Sequence, residues 1–135
     1  QGRYEEAEPL YQRCLAIDGK VYGPDHPEVA ADLNNWSGFH SMIGGKYAEA
    51  EPLYARSQAI QEKVLGPEHP SLAATLHAKA GVLKKQGRYE EAEPLCQRCL
   101  AIDGKVYGPD HPEVAADLNN WAGLLESRLR APLCF

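Results

Sequence analysis

Cys96-Gln-Arg-Cys99 places two thiols at C-x-x-C spacing, the arrangement of a dithiol redox pair and of half a zinc site. A redox pair needs that spacing at the start of a helix that follows a strand, where the helix end stabilises a thiolate; zinc needs two further ligands at matching spacing. Neither context is present. The two cysteines fall well inside a helical pattern, and an earlier near-copy of the same segment carries Tyr11 and Cys14 there. They read as packing residues with one Tyr-to-Cys change, and loss of that ring should leave a packing deficit of about 2–4 kcal/mol. His26, His69 and His111 recur at intervals of 43 and 42 residues, so they mark successive helix starts and do not converge on one metal. Glu5, Glu6 and Glu8 belong to a solvated first helical turn. No Gly-rich phosphate loop and no nucleophile motif occurs. The expectation is a chain with no catalytic residue, no metal and no cofactor.

The remaining polar chemistry lies in paired amides, Asn34-Asn35 and Asn119-Asn120, inside a fourteen-residue stretch, GPDHPEVAADLNNW, present at both 23–36 and 108–121. The copying is wider: residues 1–36 match 86–121 at 35 of 36 positions, differing only at Tyr11 against Cys96. Between them a diverged copy, aligned from Gly44, agrees with the first at 20 of 36 positions. A unit of 42 residues returning at fixed distance is a building block. One extra residue lies near Ile43-Gly44-Gly45.

Each unit holds two helical patterns. The first opens on Asp25-His-Pro-Glu28, where Asp25 and Glu28 have capping-box spacing and Pro27 suits the first turn. Val29, Leu33, Trp36 and Ser37 follow on one face. The second begins after a Gly-Lys/Arg-Tyr turn, carries Leu10, Cys14, Leu15 and Ile17 as its apolar stripe, and stops at Gly23-Pro24. Pro9 inside it suggests a mild kink, and Gly19 should weaken it by roughly 1 kcal/mol. Six helices are expected, at about 4–21, 26–42, 46–65, 69–86, 88–107 and 111–128, with a disturbed end over 38–44. No segment alternates with period two. The fold class is all-α, an array of antiparallel helix pairs stacked as a right-handed α-solenoid. Residues 1–127 form the array: a half repeat, repeats at about 25–66 and 67–108, and another half repeat. Residues 128–135 match nothing upstream and read as an irregular tail.

The motifs "LNNW" followed by Ser37 or Ala122, "GKYAEAEPLY" and "GRYEEAEPL", and "KVLGPEHP" and "KVYGPDHP" resemble the tetratricopeptide repeat (TPR), in its 42-residue form found in the kinesin light chain. The resemblance implies small residues where the helices of a pair cross: Ser37, Ala80 and Ala122 on the first helices, Ala7, Ala50 and Ala92 on the second, with Cys14, Ser57 and Cys99 at another small buried position. It also implies a concave groove lined by the first helices, in which Asn35 and Asn120, with Asn34 and Asn119 beside them, contact a ligand backbone. Lys79 departs from the pattern, standing where the other copies have Trp36 and Trp121.

On those first helices the stripe opposite the core is Ala31, Asn34, Asn35, Gly38 and Met42; Ala74, His77, Ala78, Gly81, Lys84 and Lys85; and Ala116, Asn119, Asn120, Gly123 and Ser127. A mid-helix glycine recurs in it although glycine there costs about 1 kcal/mol against Ala. Small residues leave room, and Asn offers both donor and acceptor to an extended peptide. His77, Lys84 and Lys85 make the middle of the groove locally basic, which suits an acidic peptide or a C-terminal carboxylate. The bland alternative is that the Asn pairs are ordinary solvated helix residues.

Bulk properties agree. Of 135 residues, 24% are charged and the net charge is −5, which disfavours nucleic acid and anionic membranes as partners. No apolar run approaches the ~20 residues of a membrane span. Four irregularly placed cysteines point to a reducing, cytoplasmic setting. The chain opens on Gln1 in mid-repeat, as a piece of a longer protein would. Three roles compete: a peptide-binding scaffold; a segment that self-associates through uncapped ends, with Trp121, Leu124, Leu125 and Leu129 uncovered on the last helix; and a truncated repeat remnant. A motor link would also need heptad-patterned sequence, which is absent.

Overall fold

In a computed structural model, which describes residues 3–43 and 45–131, the chain forms six helices: α1 (Arg3–Tyr22), α2 (Pro27–Met42), α3 (Tyr47–Val64), α4 (Pro70–Lys85), α5 (Tyr89–Tyr107) and α6 (Pro112–Arg130). They fall into two compact units, α1–α3 within residues 1–67 and α4–α6 within 68–135.

Within each unit the closest packing is between the two helices of one repeat, and residue pairing shows them to be antiparallel. In the first unit the Ser37 hydroxyl donates to the Ala50 carbonyl at 2.6 Å, while the Ser57 hydroxyl donates to the Ala30 carbonyl at 3.0 Å. As α2 is followed toward its end, α3 is met nearer its start. The second unit repeats the second contact with a thiol: Cys99 Sγ lies 3.1 Å from the Ala73 carbonyl it faces. Around these crossings Val29, Ala30, Leu33 and Ile60 form the core of the first unit, and Leu72, Ala73, Leu76, Cys99 and Ile102 that of the second. Deleting a fully buried leucine from such a cluster costs about 2–5 kcal/mol.

The first helices of the repeats start on a histidine. The Nδ1 atoms of His26, His69 and His111 accept from the backbone N–H groups of Glu28, Ser71 and Glu113 at 3.1, 3.0 and 3.1 Å. Each histidine is the N-cap and the following proline opens the helix. The capping box expected of Asp25 and Glu28 is therefore replaced by a histidine cap. Asp25 is engaged elsewhere, 2.8 Å from Lys63 Nζ, and Glu68 likewise pairs with Lys105 at 2.5 Å. Tyr22 stacks on His26 and Tyr107 on His111, with ring centroids 4.5 and 4.4 Å apart. Gly23, Gly66 and Gly108 end the preceding helices at φ of +94°, +92° and +91°, a conformation that an L side chain would strain.

The disturbed helix end expected over 38–44 is confined to the turn. Helix α2 runs regularly to Met42, the register at which α4 ends on Lys85. After α4 the Arg88 N–H returns to the Leu83 carbonyl, a Schellman-type closure around Gly87. After α2 the corresponding bond runs from Lys46 to His40, one residue wider. The extra residue is absorbed in the turn, and Gly44 itself lies outside the described residues. At the far end, Arg128–Arg130 form the last turn of α6, so helix continues three residues past Ser127; residues 132–135 lie outside the described residues.

Replacing one histidine cap tests this. His69→Ala should destabilise the protein by about 0.5–2 kcal/mol, and His69→Asn should recover most of that, read as thermal midpoints.

Candidate functional site

In the second unit, α4 and α6 flank a shared surface with α5 beneath them. His77, Gly81 and Lys84, at helical spacing on α4, line one cleft of about 150 Å3 together with Asn120 of α6; its floor is Ala80, Cys96 and Leu124. The Asn120 side-chain nitrogen lies 3.1 Å from His77 Nδ1, which joins the two helices across the surface. A Cβ at Gly81 would meet nothing within 4 Å, and one at Gly123 would lie 3.6 Å from Lys84 Nζ. Four of the expected site residues are thus brought together, with Gly123 beside them. Asn119 and Lys85 are exposed on the same helices and line neither this cleft nor its neighbour. Asn34, Asn35 and Gly38 lie on α2 of the first unit, where Asn35 is exposed and Asn34 half-buried.

Cys96 explains the cleft. Its counterpart in the first unit is Tyr54, which is buried and holds its hydroxyl 3.9 Å from the Cβ position of Gly38. With a thiol in place of the ring, the space beside Gly81 stays open. The packing deficit expected from the Tyr-to-Cys change is therefore an accessible cleft. Cys96 and Cys99 are free thiols. Burial raises both thiols above their ordinary range, Cys99 to about 12, and Asp117 adds to both shifts, so neither is a ready nucleophile. Among the described residues no group of His, Cys, Asp or Glu is disposed to hold a metal.

A second cleft, of about 330 Å3, adjoins the first through His77 and Asn120. Sequence reasoning missed its two buried acids, Asp103 of α5 and Asp117 of α6, which are only 6% and 7% exposed. Burial, then the hydrogen bond and charge of Asp103, then Glu113, push the Asp117 carboxyl up to about 7. The first unit carries the same pair: burial and Asp18 raise Asp32 to about 6. The intervening copy has Gln61 and Thr75 at these positions, both buried. A signal was available in the sequence. Asp103 stands near the C-terminal end of its helix, where the dipole disfavours an anion, and Asp117 follows Glu113 by one turn as a like-charge pair.

The sign of the resulting pH dependence follows from linkage. An unfolded aspartate titrates near 3.9, so between about pH 4 and 7 the folded unit holds a proton that the unfolded chain has lost. The contribution of Asp117 to stability is full below about pH 4 and is lost as pH rises through about 7. Asp117→Asn should therefore raise the thermal midpoint near pH 7.5 and flatten its pH dependence between about 4.5 and 7.5. A variant that melts below the parent at pH 7.5 would reject the raised titration of Asp117.

Comparison with known proteins agrees with the antiparallel helix-pair fold. The tetratricopeptide repeat profile matches residues 1–44, 31–84 and 71–130. Among solved structures, a kinesin light chain-like protein of Podosopora anserina with nearly identical TPR-like repeats superposes with a TM-score of 0.77 at 29% identity, over 96% of this chain and 61% of that one. A single-substitution variant of that protein gives 0.78 at the same identity, over 96% and 60%. BtubC (BKLC) from P. vanneervenii shares the fold, with a TM-score of 0.82 at 17% identity, over 93% and 50%. The chain thus spans about 50–61% of the length of these structures. No curated protein matches it.

Proposed function

Because the chain belongs to the tetratricopeptide repeat family, whose arrays generally mediate protein–protein interactions and are typically non-catalytic, we propose that it is a scaffold holding an extended peptide against α4 and α6. The observation that carries this reading is the convergence of His77, Gly81, Lys84 and Asn120 on one open cleft. Glycines lower the floor for a main chain, the amide and imidazole offer it donors and acceptors, and the Lys84 ammonium attracts an acidic side chain or a terminal carboxylate. No helix among the described residues is long and apolar enough to cross a membrane, and Cys14, Cys96 and Cys99 are free thiols, which fits a cytoplasmic scaffold.

The test is calorimetric titration with a peptide selected from a random library against the whole chain. Asn120→Ala should weaken binding by about tenfold, the loss expected of a hydrogen bond made in a desolvated groove, and leave the melting temperature nearly unchanged. Cys96→Tyr should fill the cleft, weaken the same peptide and raise the melting temperature. If both variants bind as the parent does, the groove assignment is wrong.

A second reading is favoured by one internal comparison. Helices α1 and α5 are nearly identical in sequence, yet Cys99 and Ile102 are buried against α4 whereas Cys14 is exposed and Ile17 is 50% exposed. Helix α6 shows the complementary contrast: Leu118, 50% exposed, and Ala115 and Ala122 correspond to Leu33, Ala30 and Ser37, which α2 buries. Leu124, expected among the uncovered residues, is instead core, packed with Ala80, Leu83 and Ala92; Trp121 is half-buried with its indole N–H donating to Glu93 at 3.4 Å. The open face is thus Leu118, Leu125 and Leu129. A second copy fits it, its α1 supplying the kind of helix that α3 supplies to α2. Leu118→Glu with Leu125→Glu should abolish any rise of the melting temperature with protein concentration. Oligomers that persist in this variant would reject the end-face pairing.

A further inference from the structure

An ion pair recurs at the same place in successive helix pairs. Asp25, just ahead of α2, lies 2.8 Å from Lys63 near the end of α3, and Glu68, just ahead of α4, lies 2.5 Å from Lys105 near the end of α5. The sequence carries a third acid and a third base in this register, Asp110 ahead of α6 and Lys20 near the end of α1. Both are exposed, and among the described residues neither side chain has an ionic partner. The surfaces beside them are open in the same way. Ser57 donates to the Ala30 carbonyl and Cys99 faces the Ala73 carbonyl, whereas the corresponding Cys14 and Ala115 are both exposed. Ile60 packs with Val29, Ala30 and Leu33, whereas the corresponding Ile17 and Leu118 are each 50% exposed.

We infer that copies of this chain join head to tail, α1 of one copy lying antiparallel on α6 of the next with Lys20 of the first paired to Asp110 of the second. This pairing rests on the end-face reading above and gives it a register and an open mode of growth. Between α2 and α3 the contacts Asp25–Lys63, Ala30–Ser57 and Ser37–Ala50 run in antiparallel order. Carried to two copies, the same order sets Asp110 against Lys20, Ala115 against Cys14 and Ala122 against Ala7. The residues are opposite in charge at the rim and small where the helices cross, as in the pairs already formed. Ile17 of one copy then covers Leu118 of the other. The ion pair is exposed at the rim, so it selects orientation and register, while the apolar contacts supply most of the affinity. The two surfaces joined are different ones. Each contact therefore leaves one copy with α6 free and the other with α1 free, and a third copy can add. A self-complementary patch would stop at two.

The test is carbodiimide cross-linking of the whole chain, which condenses an amine with a carboxyl only where the two touch. Over an about hundredfold rise in protein concentration, a ladder of dimers, trimers and higher species should grow on a denaturing gel. Trypsin does not cut at a linked Lys20, so the Lys20–Asp110 link should appear as peptide 14–46 joined to peptide 106–128, distinct in mass from the 99–128 peptide that a linked Lys105 leaves. Lys20→Glu or Asp110→Lys alone should raise the concentration of half-assembly, read by sedimentation, about fivefold, and the two exchanges in one chain should restore it. A ladder that stops at the dimer, a ladder without this link, or a double exchange that fails to restore assembly would overturn the head-to-tail register. The two readings fail separately. A melting temperature that rises with concentration, and loses that rise in Leu118→Glu with Leu125→Glu, but comes with no Lys20–Asp110 link leaves the apolar face standing and removes the register. A link that persists undiminished in that same variant keeps the register and removes the apolar face.

Discussion

Each helix pair depends on a close crossing at which the side chain must be small and, where it is polar, must give its hydrogen to the opposing backbone. Ser37 and Ser57 do this with hydroxyls and Cys99 with a thiol, while Ala50, Ala80 and Ala92 simply keep out of the way. The constraint is steric first: a larger side chain would hold the helices apart and open the leucine clusters on either side. It is also electrical, because a hydroxyl buried there without an acceptor would cost more than it contributes. The antiparallel register of each pair, α2 with α3 and α4 with α5, and its buried leucines follow from this contact.

The near-duplicate segments act as an internal control on that account. One sequence, read in α1 and again in α5, buries its cysteine and isoleucine only where a partner helix is present. Burial in this protein is therefore a property of the pair, and propensity alone assigns neither face. The Tyr-to-Cys difference works the same way. Tyr54 closes the space beside a groove glycine in one unit, and Cys96 leaves it open in the other, so a change that weakens packing also creates concave surface.

Most of the architecture was legible in the sequence because period, small crossing residues and Gly-Pro stops repeat, and each repetition reinforces the others. The misreadings have local causes. Asp25 and Glu28 carry the spacing of a capping box, but Asp25 is drawn to Lys63, 38 residues away, and a ring nitrogen of His26 is nearer the orphan N–H. Leu124 looked uncovered because a following helix was missing, yet it points back to α4 and α5. Of the site, His77, Gly81, Lys84 and Asn120 could be read from their shared helical face. Asp103 and Asp117 each stand in an unfavourable helical position that the sequence shows, but their pairing could not be read, since two acids fourteen positions apart meet only once the packing of α5 on α6 is known.

The turn after α2 bears on how such chains change length. An added residue there lengthened one backbone hydrogen-bonded ring, from Lys46 to His40, and moved nothing in the helices on either side. Insertions in the helices would rotate every later side chain by about a quarter turn and misplace the crossing residues. Natural gain and loss of residues is thereby channelled into the turns, and a repeat period measured in residues is a record of turn history laid over a fixed helical register.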